Sequence, residues 1–135
     1  MTQRWEYEPR AKPKPKHGWS KDEPGFEKGR GGEIIGKCPS GMTIEEATTL
    51  INDGIPWTNP HSDHDEDWPE NIYVVHDGNV YRAVPTRRGR SYHGFPAQRR
   101  VPRRLKDKIL QRARNLGCEV EIKRWMRTHM KMKNL

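Results

Sequence analysis

The sequence predicts a small α+β domain, and three local patterns predict it. Thr43-Ile44-Glu45-Glu46 is a capping box ahead of apolar residues at helical spacing. Runs of β-branched and aromatic residues at 72–75 and 80–84 flank Asp77-Gly78, a pair that suits a type I′ hairpin turn. Two basic stretches, 102–116 and 119–131, repeat apolar residues every three or four positions. The expected architecture is one N-terminal helix, a β-hairpin within a small antiparallel sheet, and two basic C-terminal helices.

In chain order, residues 1–32 read as a flexible tail or linker and 33–135 as the domain. Lys12-Pro13-Lys14-Pro15-Lys16 favours extended polyproline II, because each Pro fixes φ and removes a donor. Gly25, Gly29, Gly31 and Gly32 add backbone freedom. Trp5, Tyr7, Trp19 and Phe26 are the large apolar groups of this segment. One or two of them packing onto the domain is the first expectation, and docking of a partner the second. Residues 33–36 read as a short strand. A helix over 43–53 follows from Ile44, Ala47, Leu50 and Ile51, with Gly54 as its stop. Pro56, Pro60 and Pro69 mark 55–70 as a loop. After the hairpin, 85–101 reads as a second loop. Pro102 suits a first helical turn, and Leu105, Ile109, Ala113 and Leu116 form the apolar stripe of the helix that follows. Gly117 ends or bends it. Ile122, Trp125, Met126, His129 and Met130 continue with helical spacing, while the alternation of Cys118, Val120 and Ile122 allows a short strand before that helix.

Charge is sorted along the chain. Residues 43–78 hold nine Asp or Glu and no Lys or Arg, whereas 85–135 hold sixteen Lys or Arg against Asp107, Glu119 and Glu121. The chain as a whole carries +8. A basic last third attracts polyanions, of which nucleic acid is the commonest. No run approaches the roughly 18 apolar residues of a membrane span, and the N-terminus lacks the apolar stretch of a secretory signal. Cys38 and Cys118 are too far apart for a CxxC motif and fit reduced thiols in a cytoplasmic protein. A toxin delivered into a target-cell cytoplasm would read the same way.

The segment from Thr86 to Pro96 combines Arg87, Arg88, Arg90, Ser91, Tyr92 and His93 directly after a strand. Arginines bind phosphate bidentately, and a histidine can exchange a proton at neutral pH. These are the parts of a metal-independent ribonuclease: His93 as acid or base, Arg90 stabilising the phosphorane, and Tyr92 or Tyr81 assisting. His76 is a further acid–base candidate. Simple phosphate binding by the same loop is the competing reading. Arg87, Arg88, Arg90, Arg99, Arg100, Arg103, Arg104, Lys108 and Arg112 form the expected nucleic-acid surface. Trp57 and Trp68 are candidate stacking platforms for bases, whereas Trp125 belongs to the apolar stripe. The cluster His61, Asp63, His64, Asp65, Glu66 and Asp67 has the donors for a divalent metal, Mg²⁺ or Mn²⁺ on its carboxylates and Zn²⁺ or Ni²⁺ with its imidazoles. It lacks EF-hand or HExxH spacing and reads first as a solvated acidic loop, and no cofactor is expected.

Asn79-Val80-Tyr81-Arg82-Ala83-Val84-Pro85, then Ser91-Tyr92-His93-Gly94-Phe95-Pro96, then the basic helix together resemble the C-terminal nuclease modules of bacterial polymorphic and contact-dependent toxins. The resemblance spans about residues 37–130, and the Lys-Pro and Gly-rich tail looks like the junction ahead of such modules. It implies RNA cleavage and a cognate, acidic immunity protein as partner. Two other functions fit the same residues. One is a non-catalytic protein that binds nucleic acid or ribonucleoprotein, RNA before DNA. The other is a protein-interaction module with oppositely charged faces.

Overall fold

A computed structural model describes residues 4–8, 21, 23–28, 34–39, 41–60 and 67–135. The fold is α+β. A five-stranded mixed sheet contains β1 (Glu6–Tyr7), β4 (Ile55–Trp57), β5 (Asn71–His76), β6 (Asn79–Arg87) and β7 (Ser91–Pro96), in the order β1-β7-β6-β5-β4. β1 runs parallel to β7, and every other pairing in that sheet is antiparallel. β2 (Gly25–Lys28) and β3 (Ile34–Lys37) make a separate antiparallel pair. The helices are α1 (Ile44–Asn52), α2 (Arg103–Leu116) and α3 (Glu119–His129). No helix among the described residues is long and apolar enough to cross a membrane.

The strand alternation of β5 divides two cores. Ile72 and Val74 face α1, together with Ile51, Tyr81, Ala83, Tyr92 and Trp5. Tyr73 and Val75 face α2 and α3, together with Val80, Leu105, Ile109, Ile122 and Met126. Consecutive strand residues point to opposite faces, so β5 can be buried on both sides. Leu105, Ile109 and Ala113 are completely buried, and each large apolar side chain so placed contributes about 1.5–3 kcal/mol.

The local signals account for α1, the first hairpin and α2. Thr43 accepts the Glu46 N–H at 3.0 Å. Asp77 and Gly78 both take positive φ, 50° and 75°, as a type I′ turn requires. Gly117 ends α2 in the left-handed region at φ 77°. Cys118 is the residue before α3, so no strand intervenes there.

Three expectations are corrected. Ile55–Trp57 is an edge strand rather than loop, its Pro56 sitting at the sheet margin where a missing N–H is tolerated. The segment expected as a loop from 85 onward carries the end of β6 and all of β7. Strands β1 and β2 lie within the segment read as a tail, while Trp5 and Phe26 pack onto the domain, as first expected of that segment's apolar groups. Trp5 is also bonded to α1 in both directions: its N–H donates to Asn52 Oδ1 at 2.9 Å, and Asn52 Nδ2 donates to its carbonyl at 2.8 Å. The Lys-Pro stretch, Trp19, the glycines at 29, 31 and 32, and residues 61–66 of the acidic cluster lie outside the described residues. Both cysteines are free thiols.

Candidate nucleic-acid interface

The expected basic surface divides into three places. The first is the turn between β6 and β7. Arg87 pairs with Glu8 at 2.9 Å and Arg90 lies 3.6 Å from Glu6, so both brace β1 against β7, while Arg88 is exposed. The second place is the far end of α2. Arg112 donates to the Asp53 carbonyl at 2.7 Å and lines an open groove of about 1100 Å³ with Asp53, Asp77 and Glu121. That groove is acidic, so Arg112 does not extend the basic surface.

The third place is a groove of about 740 Å³ where the chain leaves β7. Gln98, Arg99 and Arg100 form one wall, and Arg127, Met130, Lys131 and Lys133 the other. Five cations line it, and among the described residues no carboxylate does. Trp125 holds the walls together by donating its indole N–H to the Ala97 carbonyl at 3.0 Å. Met130 and Met132 are buried beneath, so Lys131 and Lys133 are turned outward. Arg103 and Arg104 are exposed in the first turn of α2, which has no acidic residue. Their charge adds to the positive field on that side of the molecule, and Lys108 lies one turn further along.

Of these groove cations, sequence reasoning selected Arg99 and Arg100 and missed Arg127, Lys131 and Lys133. The alternation Met130-Lys131-Met132-Lys133 was the available signal, apolar residues buried and basic ones exposed in turn.

His93 lies on the sheet face that carries Tyr73, Val75 and Val80, at the row Trp57–Asn71–Val84–His93 set by strand register. A β-bulge between Pro85 and Arg87 makes Thr86 the extra residue of β6, and bulges commonly re-aim a side chain. Thr86 Oγ1 sits 2.8 Å from His93 Nδ1 and donates to the Glu8 carbonyl at 2.9 Å. One hydroxyl has one proton, so Nδ1–H donates to Thr86, and whenever the ring is neutral its lone pair is on Nε2. That is the tautomer of a general base. The side chain is only 4% exposed.

The structure does not bring Tyr81, Tyr92 or Arg90 to His93. Tyr92 is its immediate neighbour in a strand and therefore points to the other face, as does Tyr81. Tyr92 donates to the Pro69 carbonyl at 2.6 Å and stacks edge-on against Trp5. Burial pushes its pKa up to about 12, against the opposing charge of Arg4. Burial raises Tyr81 further, with Cys38, Asp77 and Glu46 adding to the effect. Phenols held this far from neutrality do not exchange protons readily at pH 7. Arg90 begins its branch three strand positions from His93, roughly 10 Å along the chain. His76 lies at the acidic groove, 3.3 Å from Glu46.

Among the described residues no group of three or more His, Cys, Asp or Glu side chains is arranged to hold a metal ion. Asp67, the described member of the acidic cluster, accepts from Arg4 at 3.2 Å. Compared with known protein families, curated proteins and solved structures, the chain matches none.

Proposed function

We propose that this protein binds nucleic acid, RNA before DNA, with the strand's phosphates in the groove between residues 98–100 and the end of α3. The observation that carries the reading is the convergence of Arg99, Arg100, Arg127, Lys131 and Lys133 without a carboxylate among the lining residues. Unbalanced cations on a concave surface focus the field and raise the local concentration of polyanions. RNA precedes DNA on the resemblance to toxin nuclease modules. An acidic inhibitor protein would cover the same cations and compete with RNA for them.

The test is fluorescence anisotropy with labelled RNA and DNA at fixed salt, beside Arg127→Glu/Lys133→Glu. The double reversal is expected to weaken binding by more than tenfold. Unchanged affinity in that variant would overturn the reading.

A second reading is RNA cleavage, favoured by the Thr86–His93 hydrogen bond. His93 Nε2 would take the 2′-hydroxyl proton as the 2′-oxygen attacks phosphorus. The bond to the 5′-oxygen would then break as the His93 imidazolium, directly or through a water, returns that proton to it, giving a 2′,3′-cyclic phosphate and a 5′-hydroxyl. General-base removal is worth roughly 10²–10⁴-fold, so His93→Ala should lose cleavage by that factor in EDTA, and Thr86→Val should lose part of it. Intact RNA after prolonged incubation with the wild-type protein would sink this second reading and leave the first standing.

A further inference from the structure

The margin of the sheet beside the groove carries aromatic rings and cations that phosphate binding does not use. Strand register places Tyr73, Arg82 and Phe95 side by side on the face toward α2 and α3, with Trp57 and Asn71 in the next row. α2 and α3 cover the row before these, at Val75 and Val80. Trp57, Asn71, Arg82 and Phe95 are each half-buried. Arg82 is held by donating Nε to Asn71 Oδ1 at 2.8 Å, and its guanidinium lies 5.9 Å from the Phe95 ring centre. Asn71 in turn donates to the Trp57 carbonyl at 3.3 Å. Lys108, exposed on α2, places its ammonium 5.8 Å from the Trp57 ring.

Two flat rings thus flank a fixed guanidinium. Trp57 and Phe95 are three strands apart, about 14 Å at ordinary strand spacing. The chain passes from Phe95 to Arg99 in four residues, so the margin continues into the basic groove.

We infer that this margin is a base-stacking subsite for an unpaired strand, so that the ligand class is single-stranded nucleic acid rather than duplex. The inference rests on the groove as the phosphate site. A base in a duplex hides its faces against its neighbours, and only an unpaired base can lay one against the accessible part of an indole. The cations at the margin complement the phosphates on either side of such a base. Trp57 is the principal platform, because its indole is the largest ring at this margin and the flexible Lys108 side chain beside it can swing aside to meet a phosphate.

The experiment measures the affinity of the full chain for a single-stranded RNA and for a duplex of the same length at one salt concentration. Wild type is compared with Trp57→Leu, which keeps an apolar side chain but has no π-face, and Trp57→Phe, which restores one. Circular dichroism confirms that each variant is folded. Wild type is expected to favour the single strand. Trp57→Leu should lose roughly tenfold for the single strand, about the worth of one stack, with little change for the duplex. Trp57→Phe should recover most of that loss. Equal loss for both ligands, equal wild-type affinity for both, or no rescue by Phe would overturn the subsite while leaving the groove intact. Failure of the wild-type protein to bind either RNA at low salt would instead remove the groove reading on which the subsite depends.

Discussion

Trp125 ties α3 to the chain segment that bears Arg99 and Arg100, through a single buried bond from its indole N–H to the Ala97 carbonyl. The Ala97 N–H is used in the sheet, donating to Val80 at 2.8 Å. Replacing Trp125 by Phe keeps an aromatic ring in the core and leaves that carbonyl without its indole donor. A buried polar group deprived of its partner costs about 1–3 kcal/mol, so Trp125→Phe should lower the unfolding free energy by that much in urea titrations. Affinity for RNA should fall as well, because the two walls of the groove lose their register. A variant as stable as wild type would show that the bond contributes nothing to the wall. Tyr92 teaches the complementary lesson at the same scale. Its neighbour His93 shares its chemistry in the sequence, yet a strand turns consecutive side chains to opposite faces. The pairing of imidazole and phenol fails for that reason alone.

Strand β1 is only two residues long, yet it is fastened by charge. Glu8 accepts from Ser91 Oγ at 2.8 Å and from Arg87 at 2.9 Å, and its N–H donates to the Tyr92 carbonyl at 2.8 Å. The Ser91 bond holds the Glu8 carboxyl below its ordinary 4.5, against some desolvation and with help from Arg87. In the unfolded chain the carboxyl titrates at the ordinary value, so between the two values the unfolded state binds more protons. The clamp's contribution is therefore whole above the ordinary value and is lost as pH falls through the folded one. Amide exchange corrected for its intrinsic pH dependence should show the Glu6 and Glu8 amides losing protection on acidification before β5 does. Loss of protection at the same pH across the whole sheet would contradict this. Elements with local signals were legible beforehand: the capping box of α1, the Asp-Gly turn, and the stripes of α2 and α3. β7 was not, because Gly94 and Pro96 read as breakers, and its strand character comes from pairing with β6. β1 pairs with residues 85 positions away, and no local pattern announces that. Half of the groove was hidden for the same reason, since Arg127, Lys131 and Lys133 meet Arg99 and Arg100 only through tertiary packing.

Over the whole molecule, the charge sorted along the sequence becomes charge sorted in space. α3 begins with Glu119 and Glu121, the latter lining the acidic groove with Asp53 and Asp77, and leads to Arg127, Lys131 and Lys133 in the basic one. Glu121 of the acidic groove and Arg127 of the basic one lie six residues apart on that helix, roughly 9 Å at 1.5 Å per residue. The helix dipole agrees with this order, its positive end beside the carboxylates and its negative end beside the cations. A nucleic-acid strand approaching this molecule is drawn to one end and repelled from the other. Affinity should therefore fall with salt through release of counterions, by about 0.7 in the log–log slope for each phosphate neutralised on a single strand. Five groove cations engaging five phosphates predict a slope near −3.5. Arg127→Ala/Lys133→Ala should make it shallower by about 1.4, because two contacts are removed. Arg112→Ala should leave the slope where it is, since that side chain serves Asp53 at the acidic end. If Arg112→Ala flattened the slope as much as the groove variant, the phosphates would be spread over both ends of α2. The sorted charge would then not direct the strand.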